Sequence, residues 1–353
     1  MRIAIINDTH TGIRNSSDVF LDNAEVFYRD VFFPYLKENN IKRIIHMGDY
    51  YDNRKFVNFR ALNRNRKMFL NILRNDGIHM DIIPGNHDTY YKNTNELNSL
   101  KELLGHYMGE ITIHMEPNVV NYDGMDIALL PWIAQENYDR SIEFIQKCKA
   151  PWLVGHLELD GFEMMRGVQS HHGLDHNLFN RFEQVLTGHY HTKSQRDNIM
   201  YTGTQLEFFW SDAGDKKYFH ILDTDTRELL PIHNPNTLFE KIVYDDSKID
   251  YNDMDLSHLD RKFVKIVVIN KTDLYNFDRF VDRVQSQKIH ELKIAENFNE
   301  FLGDNVEDEA VSVEDTTSLL DSYVDAVDTE LNKDRLKLTL RNILTEAQAL
   351  EIA

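Results

Sequence analysis

Short apolar runs alternate with longer amphipathic stretches through the first 235 positions of this chain. Residues 3–6, 43–46, 80–83, 152–154 and 184–186 are brief and mainly apolar, which predicts buried strands. Residues 20–36 and 59–73 carry apolar positions at helical spacing and predict helices between them. Such alternation implies an α/β layered domain, in which ligands gather at the carboxyl ends of the strands. Beyond about residue 197 the pattern shortens, and 199–202, 217–222 and 227–231 read as strands that finish the domain.

A second unit begins near Thr237, with strands over 263–269 and 291–294 and a helix over 274–284 between them. From 296 to 315 there are eight acidic residues and no basic one, with few large apolar groups, which predicts a linker. Two amphipathic helices follow. Leu319, Leu320, Tyr323, Val324 and Val327 share one face of the first, and Leu336, Leu340, Ile343, Leu344, Ala347 and Leu350 form a stripe on the second. The expected division is therefore 1–235, 236–296, a linker over 297–315 and a helical segment over 316–353.

A length of 353 residues fits more than one domain at about 150 residues each. The single cysteine, Cys148, excludes a disulfide framework and a cysteine-based zinc site, and suits a reducing compartment. No apolar run approaches the length of a membrane span. The longest, 126–134, is interrupted by Pro131, and the apolar start ends at Ile6 without a leader-like pattern, so a cytoplasmic protein is expected. The net charge of −19 does not announce a nucleic-acid binder. Residues 236–353 hold 14 Lys/Arg against 26 Asp/Glu, so the acidity is concentrated in the last third.

Candidate chemistry follows the strands. Asn7-Asp8-Thr9-His10, Gly48-Asp49-Tyr50-Tyr51-Asp52, Gly85-Asn86-His87-Asp88, Gly155-His156 and Gly188-His189-Tyr190-His191 each stand directly behind one of the five runs. Five strands of one sheet would deliver all five clusters to one rim. Residues one apart in extended chain, such as Asp8 and His10 or His189 and His191, point to the same side. Oxygen and imidazole donors without thiolates suit manganese, iron or zinc better than calcium. Seven such donors exceed one tetrahedral site and suffice for two metals sharing a carboxylate. Metals about 3.5–4 Å apart can stabilise both the attacking and leaving oxygens of a phosphate ester. Taken singly, a Gly-Asp turn or a strand-end histidine is ordinary structure; the ordered conjunction is not.

That ordered set resembles the calcineurin-like metallophosphoesterase superfamily, and within it the SbcD-type DNA double-strand-break repair nucleases, including those of T-even-like bacteriophages. The likeness covers residues 1 to about 235 and, with the following module, most of the chain. It implies a four-layer β-sandwich flanked by helices, a small α+β capping domain over 236–296, and a docking segment over 316–353. It implies one metal held by Asp8, His10, Asp49 and His191, and a second held by Asp49, Asn86, His156 and His189. His87 would assist the leaving oxygen, oriented by Asp88. Asp52 stands where some members carry a second histidine, and could orient His87 or be structural. The implied cofactors are two divalent ions, manganese by preference and magnesium otherwise.

The implied activity is exonuclease or endonuclease cleavage of double-stranded DNA ends and single strands in recombination and repair. The implied partner is an SbcC-type coiled-coil ABC ATPase, bound by the C-terminal helices, in the host cytoplasm if the chain is phage-encoded. A homodimer through the 59–73 helix and one near 95–104 is also implied, with Phe59, Leu62, Phe69, Ile72 and Leu73 packing inward or across that interface. Competing readings are hydrolysis of a different phosphoester and a non-catalytic scaffold that regulates the ATPase. Arg54, Lys55, Arg60, Arg64, Arg66, Lys67 and Arg74 occur without an acidic residue among them, as either a phosphate-binding patch or a solvated helix face. His171, His172 and His176 read as a polar loop, Tyr190 as packing, and Trp132, Trp152 and Trp210 as core.

Overall fold

In the computed structural model, residues 1–165, 168–295, 324, 333 and 335–340 are described. Seventeen strands lie among the described residues. In chain order, the first fourteen are β1 (Arg2–Ile6), β2 (Arg43–His46), β3 (His79–Ile82), β4 (Ile111–Ile113), β5 (Asn118–Tyr122), β6 (Met125–Leu130), β7 (Trp152–His156), β8 (Glu163–Met165), β9 (Val168–Gln169), β10 (Gln184–Gly188), β11 (Ser194–Arg196), β12 (Ile199–Tyr201), β13 (Lys217–Asp223) and β14 (Glu228–Asn234). Twelve of them form two six-stranded sheets, ordered β14-β13-β1-β2-β3-β4 and β11-β12-β10-β7-β6-β5.

The five strands that precede the polar clusters are thus divided, β1, β2 and β3 in one sheet and β7 and β10 in the other. This corrects the expectation of a single sheet. Apolar runs report that a strand is buried on both faces but not which strand it pairs with. Register brings the carboxyl ends together within each sheet. Ile6 lies opposite His46 and His46 opposite Ile82, with parallel pairing throughout. In the second sheet Gly188 lies opposite His156, and Leu130 opposite Gly155.

One apolar core joins the sheets face to face: Ile3, Ile5, Ile45 and Ile83 from the first meet Ile127, Leu129, Val154 and Leu186 from the second. Helices cover the outer faces, completing four layers. On one side Phe27 and Phe32 pack on Phe219 of β13, with ring centroids 6.0 and 5.1 Å apart. On the other, Ile145 of the helix Tyr138–Lys147 joins Leu153, Val185 and Tyr201. Trp152 and Tyr190 are buried as expected, Tyr190 stacking on Tyr201 at 4.6 Å.

Both long helices occur, each with a π-helical turn inside. Asp18–Phe27 continues through Tyr28–Phe32 into Phe33–Glu38, and Phe59–Asn65 through Arg66–Leu70 into Asn71–Asp76. Asn58 caps the second helix, its side chain accepting from the amides of Arg60 and Ala61. Leu62, Phe69 and Leu73 are buried on this helix, whereas Phe59 is 85 % exposed. Three arginines of the basic stretch are spent on ion pairs: Arg60 with Asp18 at 2.7 Å, Arg64 with Asp22 and Glu25 at 2.7 and 2.6 Å, and Arg74 with Glu110 at 2.8 Å. For those three the solvated-face reading holds, because their counter-charges arrive from other elements that local sequence does not reveal.

The chain divides into two compact units. The first holds 1–208, 212–240 and 261–263; the second holds 209–211, 241–260 and 264 onward. A three-stranded sheet ordered β15-β16-β17 is formed by β15 (Phe239–Asp245), β16 (Phe263–Asn270) and β17 (Glu291–Ala295). The helix Leu274–Gln285, capped by Asp273, packs Phe277, Phe280 and Val284 on Tyr244, Ile266 and Val268. The acidic linker and most of the C-terminal helical segment lie outside the described residues; residues 335–340 are helical.

Candidate metal centre

Three of the five clusters leave their strands in an unusual backbone conformation. Asp8, His10, Asp49 and His189 all have positive φ, at 44°, 40°, 54° and 91°. For residues with a Cβ such conformations cost about 1–3 kcal/mol each and persist only where surroundings enforce them. Here they swing side chains off the sheet ends toward one another. Glycine clears the space: a Cβ on Gly85 would stand 2.2 Å from the Asp49 Oδ1 and 2.5 Å from the Asp49 nitrogen. Gly48, at φ 93°, lies so close to Gly85 and the His156 ring that a Cβ would be 2.7 Å from both.

Three groups of potential ligand atoms result, each with all atoms within 4.8 Å of one another: Asp8, His10 and His191; Asp49, His156 and His189; and His10, Asp49 and His87. The Nε2 atoms of His10 and His191 lie 3.1 Å apart. Two imidazole lone pairs at that spacing repel unless a cation or proton is shared between them. Asn86 Oδ1 lies 2.8 Å from His156 Nε2 and 3.0 Å from His189 Nδ1, which places it in the second group. Asp49 Oδ2 is 3.3 Å from His156 Nε2 and 3.8 Å from His10 Nε2, so one oxygen faces both groups. Two carboxylates, one amide oxygen and four imidazoles fit divalent transition ions. Second contacts fix the rings: His156 Nδ1 donates to the Met47 carbonyl at 2.8 Å, directing Nε2 inward.

The three remaining predicted residues divide. His87 borders the centre, its ring edge-on to His10 with centroids 4.9 Å apart, and its amide donates to Asp49 Oδ1 at 2.8 Å. Its Nδ1 donates to the Asp52 backbone carbonyl at 2.7 Å. Asp52 therefore orients His87 through its main chain, while its carboxylate stands 3.4 Å from His10 Nδ1. Asp88 does not orient His87, contrary to expectation. Its buried carboxylate accepts from the amides of Gly85 (2.9 Å), Tyr50 (3.0 Å) and Tyr51 (3.2 Å), and so ties together two loops that carry candidate ligands. Alternating residues at a turn face opposite ways, and only the folded loop shows which group each one meets.

Residues 1–193 match the family model described as calcineurin-like phosphoesterase. The chain belongs to this family. Over 338 residues, 95 % of each chain, it is 30 % identical to exonuclease subunit 1 of enterobacteria phage T4. Among solved structures, a novel archaeal phosphodiesterase is 17 % identical, with 66 % of this chain and all of that one covered and a TM-score of 0.34. The protein TT1561 of Thermus thermophilus is 11 % identical, covering 66 % and 98 %, with a TM-score of 0.38.

Electrostatics in this phosphoesterase divide the ligand histidines: burial opposes charge on His10 and His156, but Asp49 and the other carboxylates beside them lift both to about 9. Burial favours the uncharged forms of His189 and His191, whose nearby histidines add to the effect; His189 is pushed down to about 3, so one ring-nitrogen lone pair remains available. Burial also opposes charge on Asp49, but His156, His87 and His10 more than offset it and hold the carboxyl well below its usual range. Asp8, buried and beside Asp49, is pushed up to about 6. A divalent ion would relieve that crowding of negative charge.

Two aromatic walls of the phosphoesterase centre escaped sequence reasoning. Trp132 packs on His189 and His156 at 5.3 and 5.9 Å, its carbonyl held by Asn95 and Asn137. It follows the end of β6 by two positions, so its place behind a sixth parallel strand was the available signal. Phe208 packs on His10 and His191 at 5.6 and 5.8 Å, and no local pattern marks it. His171, His172 and His176 join none of the described ligand groups.

Proposed function

We propose that this phosphoesterase is a two-metal DNA nuclease, cleaving phosphodiester bonds at DNA ends as one subunit of a recombination or repair complex. The observation that carries the reading is Asp49 Oδ2 facing two ligand groups at once, with His87 against both. Identity of 30 % across 95 % of a phage exonuclease subunit supports DNA as the substrate. One ion would be held by Asp8, His10, Asp49 and His191, and the other by Asp49, Asn86, His156 and His189. Two such ions, manganese by preference on the histidine content, would supply charge stabilisation of the phosphoryl group and activation of water.

The chain's own residues do the rest. Asp49 and Asp8 balance the charge of the ions. His87, fixed through Nδ1 by the Asp52 carbonyl, presents Nε2 as the nitrogen able to carry a proton to the leaving oxygen. Trp132 and Phe208 back the histidines with apolar surface and limit water. The coiled-coil ATPase partner, docked through residues 316–353, and a homodimer belong to the same proposal. Exposed Phe56 and Phe59, at 76 % and 85 %, and exposed Met108 support an apolar contact at the helices expected to dimerise. No described helix is long and apolar enough to cross a membrane, which suits action on DNA in the host cytoplasm.

The test is cleavage of linear double- and single-stranded DNA by the purified chain, with manganese and with magnesium. The His87→Ala variant is expected to lose about 10²–10⁴-fold in rate, while isothermal titration still counts two bound ions. Undiminished cleavage by the variant would refute the role given to His87. Hydrolysis of a small phosphodiester without any DNA cleavage, alone or with the ATPase, would refute the nuclease reading.

A further inference from the structure

A cleft of about 180 Å³ adjoins the metal centre within the first unit, lined by His191, Thr192, Lys193, Thr204, Lys216 and Lys217 among others. His191 belongs to both. Its imidazole faces His10, and its carbonyl accepts from the Thr204 amide at 3.1 Å and from Lys217 Nζ at 3.3 Å. The segment from His191 to Lys193 is packed directly on Gly203, where a Cβ would stand 2.9 Å from the Lys193 nitrogen and 3.1 Å from the His191 carbonyl oxygen. The cation two residues past a candidate metal ligand is thus held on the same fixed piece of backbone. Its ammonium lies 5.5 Å over the Tyr218 ring, which steers the side chain.

The charge in the cleft has an unequal distribution. Buried Lys217 is matched by Asp212 at 2.5 Å, and that pair holds the floor. Lys193 and Lys216 are exposed, and Asp215 is the one carboxylate among the lining residues. A net positive, hydroxyl-bearing cleft beside the centre of a chain whose total charge is −19 is suited to an anion. Its volume accommodates a phosphate group, and its lysines and threonine hydroxyls supply the donors a phosphate needs.

We propose that this cleft is a phosphate subsite. It would hold a backbone phosphate of the substrate strand adjacent to the scissile one, with Lys193 and Lys216 as its counter-charges. The proposal rests on the nuclease reading above, because only a polymeric substrate carries that second phosphate. A small phosphodiester fills the metal centre and never reaches the cleft. Lys193 and Lys216 are therefore specificity-determining residues for polymer over monomer.

The experiment compares the full-length wild type, a Lys193→Gln/Lys216→Gln variant and a Lys37→Gln/Lys149→Gln variant that removes two exposed lysines elsewhere. Two readouts are taken: kcat/KM on linear DNA relative to bis(p-nitrophenyl) phosphate, and the salt dependence of binding to a labelled duplex in EDTA. The cleft variant should lower the DNA-to-diester ratio about tenfold and flatten the log–log salt slope by about one, the loss of one phosphate contact. The control variant should leave both near wild type. Equal behaviour of the two variants overturns the subsite while leaving the nuclease reading intact. A wild type that hydrolyses the diester but neither binds nor cuts DNA overturns the nuclease reading, and the subsite with it.

Discussion

Gly85→Ala is the sharpest perturbation of the centre that touches no ligand. The added methyl would stand 2.2 Å from Asp49 Oδ1, 2.5 Å from the Asp49 nitrogen and 2.9 Å from its Cγ. A carbon and an oxygen without a bond between them approach to about 3.3 Å, so the overlap is about 1 Å. Turning the Asp49 side chain cannot relieve it, because the backbone nitrogen is overlapped too. The loops 48–52 and 85–88 must therefore separate, and they carry Asp49 and Asn86. Since Asp49 Oδ2 faces both ligand groups, both ions should be weakened together. Misplacing a ligand's support typically costs about 10–100-fold in metal affinity, and overpacking costs about 1–3 kcal/mol of stability. Calorimetric titration of chelator-treated protein with manganese should show both affinities reduced at least about tenfold, with melting in EDTA lowered by only a few degrees. Two manganese ions bound at wild-type affinity would refute the reasoning, since the centre would then tolerate a separation that the geometry forbids.

Phe208→Ala should remove about 3–5 kcal/mol of stability, because this 2 % exposed ring packs on His10 and His191; urea unfolding of the metal-free protein measures it, and a loss under about 1 kcal/mol would show that the ring is not structural. Glu207 gives a pH dependence: burial outweighs the amides of Leu238 and Phe239 bonded to Oε2 and lifts its carboxyl from 4.5 to about 7. Folding favours the protonated form, so that contribution is fully present below pH 4.5 and lost as pH rises through 7, at up to about 1.4 kcal/mol per unit. Glu207→Gln should keep its stability from about pH 5 to 8 better than the wild type does, and parallel urea-derived stabilities over that range would disprove it.

The polar clusters were legible because each combines a local signal, an apolar run ending in glycine or a polar turn, with a distinctive donor set. What local signals omit is pairing. Nothing in residues 152–154 says that they belong to a different sheet from residues 3–6, since both are simply apolar; the division follows from packing of whole sheets through Ile5, Val154 and Leu186. The ion pairs that neutralise Arg60 and Arg64 come from Asp18, Asp22 and Glu25, some forty residues earlier on another helix, and are invisible for the same reason. Asp52 rather than Asp88 holds the His87 ring because His87 meets a backbone carbonyl, which every residue has and no sequence marks. The deepest gap lies at the centre itself. Left-handed backbone is read from glycine and asparagine, yet here aspartate and histidine adopt it at Asp8, His10, Asp49 and His189. Local preference is overruled at four donors that must converge. The fold carries that strain through Asp88, which bonds the two turns to one another, and through glycines that leave the carboxylates room. Convergence of ligands is therefore a property of the assembled rim, obtained against the preferences of the residues that form it.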